Sequence, residues 1–172
     1  MKKVILIVLL SFAHLFAFEY DIELSQQQLQ EKIEKKFPYE KKKLLTKTTL
    51  SNPKVMLKDG SEKVYMNSDV TFNAPGDISL KAYVEFNGKV IYDNEKKEFY
   101  LQNLEIEQLN FDKIPAKFHN TIKSTLEAIL PIILNQYPIY TLKENTLKKT
   151  ATALLLKNIK VENNLMIITL GF

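Results

Sequence analysis

The chain has 172 residues, of which 45% are hydrophobic and 26% are charged, and its formal net charge is +4. All 24 basic residues are lysine, so the chain lacks the planar arginine fork that reads phosphate and guanine, and we expect no nucleic-acid partner. Cysteine is absent, which excludes disulfides, thiolate metal sites and a lipid anchor on an N-terminal cysteine. We therefore expect neither a metal nor another cofactor.

The N-terminus has the features of a secretory signal peptide. Lys2 and Lys3 provide a positive start, an unbroken apolar run follows, and Ala17 offers a small residue for cleavage. The apolar stretch is shorter than the roughly 20 residues that a membrane-spanning helix needs. We expect residues 1–17 to be removed and residues 18–172 to form one periplasmic domain; an uncleaved membrane anchor is the less favoured alternative.

The first predicted element is a short helix that begins after Ser25 and stops at Pro38. Ser25 and Gln28 have the spacing of a capping box, in which each residue bonds to the backbone of the other. Leu29 and Ile33 are four residues apart, which places them on one narrow apolar face. This helix should pack one face and expose the other.

Four strands joined by short turns follow, and they predict an antiparallel meander with one apolar face. The clearest strand alternates strictly between apolar and other residues over Ile78–Tyr92, far beyond the typical five or six residues. A sheet with strands of this length must coil or bend, and Gly88 is the natural place for a bulge. Further bulges are predicted at Pro53 and Asn103.

A long helix is predicted from about Pro115 to Gln136, with a kink at Pro131. A third helix is predicted over Asn145–Leu156, and two closing strands follow, over Ile159–Glu162 and Leu165–Phe172. The predicted fold is therefore α+β, with a long, strongly curved antiparallel meander, a long kinked helix, and short helices near the N- and C-termini.

Apolar residues that face each other across the sheet and the long helix are the first candidate site. A cavity between them would hold an apolar ligand. The alternative is that they form the core, since periodicity reports burial and not empty space. The residues are Val70, Phe72, Leu80, Val84 and Phe86 of the sheet and Phe118, Ile122, Leu126, Ile129 and Ile133 of the helix.

Two charged groups are further candidates. Lys41, Lys42 and Lys43 form a basic run that would gain about 1 kcal/mol per lysine on an anionic membrane surface, although neighbouring glutamates favour a simple solvated face. Glu105 and Glu107 lie on the same face of a strand, as a pair of carboxylates for acid–base catalysis would. Because apolar neighbours take the other face, we expect this pair to point to water.

The order of these elements resembles a known family. The resemblance rests on Leu50–Val55, Asn135–Leu142 and Lys157–Val161, which follow a signal sequence and a capped helix. The chain is similar to the YceB-like family of bacterial envelope proteins, a domain of unknown function. This resemblance implies a fold of the tubular lipid-binding (TULIP-like) type, in which a curved antiparallel sheet wraps a long helix and apolar ligands lie between them. It supplies no catalytic residues, and the chain lacks the anchoring cysteine of many relatives.

We therefore predict a periplasmic protein, not an enzyme, that holds a lipid or another hydrophobic small molecule between sheet and helix by burial alone. The alternative is a solid-cored module that binds another envelope protein through a sheet edge or its lysine-rich face. A hydrolase that uses Glu105 or Glu107 is a weaker third hypothesis. The sequence leaves the ligand, the protein partner and the oligomeric state open.

Overall fold

The computed structural model describes residues 19–142 and 154–171, except for the side chain of Gln136. The predicted signal peptide and most of the predicted third helix lie outside these residues. Within them the fold is α+β and consists mostly of antiparallel sheet, with two α-helices. The predicted class is confirmed.

The described elements follow the chain in a simple order, with a 3-10 turn at Ala116–Phe118 before the second helix. The helices are α1 (Gln26–Glu34) and α2 (His119–Gln136). The strands are β1 (Glu19–Ser25), β2 (Tyr39–Lys43), β3 (Thr46–Leu57), β4 (Lys63–Ala74), β5 (Ile78–Asp93), β6 (Glu98–Asp112), β7 (Tyr140–Thr141), β8 (Leu155–Glu162) and β9 (Leu165–Gly171).

The strands form two sheets in which neighbours run antiparallel. The larger sheet has six strands in the order β2-β3-β4-β5-β6-β7, and the smaller has three in the order β1-β9-β8. The predicted meander is confirmed as β3 to β6. Two backbone hydrogen bonds join the sheets: Gly60 donates to the Val161 carbonyl at 2.9 Å, and Val161 donates to the Ser61 carbonyl at 3.0 Å.

Irregularities interrupt the long strands at the predicted places. The register of β3 with β4 shifts between Ser51 and Lys54, around Pro53. The register of β5 with β6 shifts across Gly88, and Asn103 on the opposite strand has a φ of 51°. These bulges allow strands of 16 and 15 residues to pair within one sheet.

Helix α1 begins with the predicted capping box. The backbone N–H of Gln28 donates to Ser25 Oγ at 3.2 Å, and the backbone N–H of Ser25 donates to Gln28 Oε1 at 2.9 Å. The helix ends at Glu34, earlier than the predicted stop at Pro38, because the residue before a proline is disfavoured in helical conformation.

Two predictions of local structure are wrong, and one strand was not predicted. The first described element is the strand β1 and not a helix, because β1 pairs with β9 from the far end of the chain. The basic run at Lys41–Lys43 lies in the strand β2. Leu155 and Leu156, the predicted end of the third helix, belong to β8 and pair with Gly171 and Leu170 of β9.

One cluster of buried side chains connects the two sheets and the two helices. Helix α1 packs along β3 and helix α2 packs along β6. Met166 and Ile168 of the smaller sheet belong to the same cluster as Leu50 of the larger sheet and Leu126 of α2. Within residues 19–142 and 154–171, no helix has the combination of length and hydropathy that crossing a bilayer requires.

Candidate apolar ligand site

The structure places the residues of the predicted cavity in or against this core. Leu80 and Phe118 are half-buried and the others are buried: Val70, Phe72, Val84, Phe86, Ile122, Leu126, Ile129 and Ile133. Five clefts open at the surface of the described residues, and none of these five is lined by any of the ten side chains. These five clefts are therefore formed by other residues.

The two largest of these clefts have more polar than apolar surface in their lining. One, of about 690 Å³, is lined mainly by polar residues such as Gln30, Asn52 and Asp69. The other, of about 460 Å³, lies between β1, α1 and β7. Its apolar floor includes Leu24 and Leu29, each only 2% exposed, and charged side chains of β1 and α1 line much of the remainder.

Two further clefts, of about 280 and 160 Å³, lie between β6 and α2 and share Ile106. We call them together the β6–α2 seam. Its lining from β6 includes Leu104, Ile106, Leu109 and Phe111, and its lining from the helix includes His119, Lys123, Glu127, Leu130 and Pro131.

The seam exists because β6 has a strand on only part of its outer edge. Strand β7 pairs with β6 at Glu98 and Phe99 alone, and α2 lies along the remainder. The helix does not cover the apolar row of β6 completely, since Leu104 and Ile106 remain half-buried. The same holds for Leu109 and Phe111 further along. The seam is thus a partly wet apolar strip between the sheet and the long helix.

The Phe111 end of the seam is closed by an aromatic stack. The rings of Phe111 and His119 lie parallel with their centroids 3.8 Å apart. His119 Nε2 is 2.9 Å from the carbonyl oxygen of Ile114, which fixes the ring in place. His119 therefore serves here as a structural aromatic, and in the described residues no three His, Asp or Glu side chains gather as metal ligands.

The carboxylates of Glu105 and Glu107 also line the seam clefts, and both are paired and exposed. Lys63 Nζ lies 2.6 Å from Glu105 Oε2, and this hydrogen bond lowers the pKa of the Glu105 carboxyl below its usual value. Asn87 Nδ2 donates to Glu107 Oε1 at 2.9 Å. A general acid needs a raised pKa, so the shift at Glu105 runs against the acid role of the hydrolase hypothesis.

The predicted basic run lies at the edge of the larger sheet. Lys41, Lys42 and Lys43 are all exposed on β2, which is an edge strand. Beside them, the turn residues Leu44 and Leu45 are the most exposed large apolar side chains of the described chain. These leucines were not predicted as part of a site, although two leucines directly after three lysines are a visible signal.

A family model described as "Protein of unknown function (DUF1439)" matches residues 24–164. The chain belongs to the DUF1439 family. The DUF1439 match runs from the end of β1 to the turn after β8, so it includes both sides of the seam and the β2–β3 turn. No curated protein matches the chain.

The seam was not predicted from the sequence. The apolar faces of β6 and of the long helix were identified, but the predicted cavity between sheet and helix was assigned to residues of β4, β5 and the helix. A signal was present in the continuation of the apolar row beyond the Asn103 bulge, from Leu104 and Ile106 to Leu109 and Phe111. No partner strand follows directly in the sequence to cover this row.

Proposed function

We propose that this DUF1439 protein binds a lipid or another elongated apolar molecule in the β6–α2 seam. The observation that carries the proposal is the half-buried apolar row of Leu104, Ile106, Leu109 and Phe111 beside the long helix. A ligand lying on this row would remove both its own apolar surface and that of the row from water.

The gain per residue is moderate and adds along the row. Full burial of a leucine, isoleucine or phenylalanine side chain contributes about 1.5 to 3 kcal/mol, so covering the exposed part of each, at most about a third of the side chain, contributes less than about 1 kcal/mol. The row also provides length, because seven steps from Leu104 to Phe111 at about 3.3 Å extend about 23 Å. The acyl chains of one membrane leaflet span about half of the roughly 30 Å hydrocarbon core, so the row is long enough to hold an acyl chain.

The proposal also includes a sheet that curves around α2 and a signal peptide that is removed on export. A sheet that curves around α2, as in the tubular lipid-binding type that the chain resembles, would place an acyl chain between sheet and helix. The N-terminal pattern supports export to the periplasm and cleavage after Ala17. N-terminal sequencing of the exported protein should then begin at Phe18.

A fluorescent fatty acid such as cis-parinaric acid tests the ligand site directly. The full chain is expected to bind the probe, and Ile106→Trp, which adds bulk where the two clefts meet, is expected to weaken binding by at least about tenfold. Because Ile106 is half-buried, the larger ring has room at the surface and the free energy of unfolding should stay within about 1 kcal/mol of the wild type.

Ile132→Trp is the matched control for this variant. Ile132 lies on the same helix and is exposed, but it lines neither of the two seam clefts. Its variant is expected to bind the probe as the wild type does. The proposal fails if the wild type does not bind the probe, or if both tryptophan variants bind it equally well.

A solid-cored interaction module is the second candidate. The observation that favours it is the position of the predicted cavity residues, which are buried or half-buried and line none of the five clefts. Native mass spectrometry of the protein purified from the cell envelope separates the two. Co-purifying lipid at near one per chain supports the seam site, and its absence together with no probe binding favours the module.

A further inference from the structure

The turn between β2 and β3 exposes two adjacent leucines. Lys43 and Thr46 are register partners, so Leu44 and Leu45 form a two-residue hairpin loop. Their exposed fractions are 97% and 80%. Large apolar side chains in this setting gain nothing from the fold itself, because no neighbouring side chain covers them in the described residues.

Leucine is also an unfavourable residue for this turn. Leu44 has a φ of 52°, a region that glycine and asparagine adopt far more readily than leucine. Two-residue hairpin loops favour glycine, asparagine and aspartate for this reason. Leu44 therefore serves neither packing nor turn geometry, and Leu45 does not serve packing, which points to a contact outside the chain.

Unpaired positive charge surrounds the two leucines. Lys41, Lys42 and Lys43 are exposed, and none of them forms a salt bridge with another described residue. The single acidic residue of β2, Glu40, is paired with Lys47 at 2.6 Å. We call Leu44 and Leu45 with these three lysines the β2–β3 tip.

Strand β2 supports the tip without packing it against the core. Side chains alternate between the two faces of a strand, yet Lys41, Lys42 and Lys43 are all exposed. Both faces of this end of the hairpin are therefore open to solvent. Only the start of β2, at the half-buried Tyr39, packs against the core.

The sheet register places other lysines at the same end. Lys47 pairs with Asn73 of β4, so the tip lies at the end of the sheet that carries the β4–β5 turn. Lys81 pairs with Asp112 near the end of β6, and the exposed Lys113 and Lys117 follow in the connection to α2. The Phe111 end of the seam lies at this end as well.

We propose that the β2–β3 tip docks the protein on an anionic phospholipid surface, with Leu44 and Leu45 inserted among the acyl chains near the headgroups and the lysines on the phosphates. The two leucines match the acyl-chain layer of such a membrane surface, and the lysines beside them match its layer of anionic headgroups. An acidic protein surface would match the lysines but would not account for two fully solvated leucines. This inference does not depend on ligand binding in the seam.

Tryptophan provides a direct test, because the chain contains none. Leu45→Trp places a single fluorophore at the tip, and Leu155→Trp places one at an exposed position of the other sheet. With vesicles of phosphatidylglycerol and phosphatidylcholine, the emission of the first variant is expected to shift to the blue and to become protected from acrylamide. The second should not change, and neither should respond to phosphatidylcholine alone.

The affinity for anionic vesicles is measured by co-sedimentation, with full-length protein that carries neither of the introduced tryptophans. A triple variant that changes the tip lysines to glutamine should weaken binding by about a hundredfold at low salt; it combines Lys41→Gln, Lys42→Gln and Lys43→Gln. The control removes the same charge from exposed positions elsewhere and should change binding far less; it combines Lys54→Gln, Lys89→Gln and Lys157→Gln. Leu44→Gly with Leu45→Ser should weaken binding by at least about tenfold. It should not lower the thermal midpoint, because glycine suits the turn.

The matched variants also identify the results that overturn the proposal. Because every variant carries the same N-terminus, a difference in binding reports the substituted positions. The proposal is overturned if the wild type does not bind anionic vesicles, if the glycine–serine tip binds as well as the wild type, or if both tryptophan variants shift equally. Binding to an acidic protein without any binding to vesicles would assign the tip to a protein partner and would overturn it too.

Discussion

Tyr100 shows how one residue makes stability depend on pH. It is 8% exposed, and its hydroxyl donates a hydrogen bond to the carboxylate of Glu98. This hydrogen bond, together with burial and the negative charges of Glu98 and Asp93, raises the pKa of Tyr100 to about 12. The neutral phenol is therefore favoured in the folded protein more than in the unfolded chain.

The direction of the pH effect follows from this shift. Below about pH 10 the tyrosine is neutral in both states and its contribution to stability is fully present, whereas between pH 10 and 12 the unfolded chain loses the proton first. We expect Tyr100→Phe to lower the free energy of unfolding by about 1 to 3 kcal/mol near pH 8. The gap between wild type and variant should narrow above pH 10.

Urea unfolding at pH 8 and pH 11.5 measures this gap. A gap of the same size at both values would contradict the assignment of the raised pKa to Tyr100. Glu98→Gln is the useful comparison, because it retains an acceptor and removes the charge. It should bring the folded pKa of Tyr100 closer to the unfolded value, so the alkaline loss of stability should become smaller.

Helix α1 acts at the scale of an element, because it completes the edge of β3. Strand β2 pairs with β3 only as far as Leu50, so no strand within residues 19–142 and 154–171 pairs with the outer edge of β3 beyond it. Gln30 of α1 bonds to this edge in place of a strand. Its Nε2 donates to the Pro53 carbonyl at 2.7 Å, and its Oε1 accepts from the Val55 N–H at 2.7 Å. One side-chain amide therefore satisfies two backbone groups beside the bulge.

We expect Gln30→Leu to lower the free energy of unfolding by about 1 to 3 kcal/mol, since it leaves these two partly buried backbone groups without a partner. The control is Gln27→Leu on the exposed face of α1, where the amide bonds only to Glu31. That change should stay within about 0.5 kcal/mol of wild type. Equal losses in the two variants, measured by urea unfolding, would show that the β3 edge does not need Gln30.

The elements that the sequence predicted are those with local signals. The capping box of Ser25 and Gln28 and the turn at Asn163 and Asn164, where both residues have positive φ, need only a few neighbouring residues. Strand β1 was missed because its partner β9 lies at the other end of the chain. Strand β2 was missed because none of its side chains is fully buried, so it has no apolar alternation.

The candidate site was harder to predict than the elements, for a related reason. Alternation in β6 and the three- and four-residue steps of α2 identify apolar faces, and the buried Ile122 and Leu126 confirm the face of the helix. Neither pattern states how completely one face covers the other. The exposed fraction of the Ile106 side chain depends on where α2 lies along β6. That position is set by the packing of the whole protein.

At the scale of the whole molecule, the two sheets share one core and two backbone hydrogen bonds. We therefore expect them to unfold together. Ile168→Ala, a truncation of a buried side chain in β9, should cost about 2 to 5 kcal/mol and lower the stability of both sheets equally. The measurement is urea unfolding of this variant in the Ile106→Trp and Leu155→Trp backgrounds, which report the larger and the smaller sheet.

Coincident midpoints for the two fluorophores would agree with a single cooperative unit. Two separate midpoints, with only the Leu155→Trp signal moved by the truncation, would show that the smaller sheet unfolds by itself. In that case the shared core would couple the sheets more weakly than its continuity indicates.

The pairing of β1 with β9 brings the beginning and the end of the described chain side by side. Glu19 and Gly171 are register partners, and partners in an antiparallel pair have Cα atoms about 5 Å apart. A linker of a few residues could join them, and new ends could be opened in the turn between Asp93 and Glu98. Such a circular permutant would retain every strand pairing while carrying its termini at a different corner of the protein.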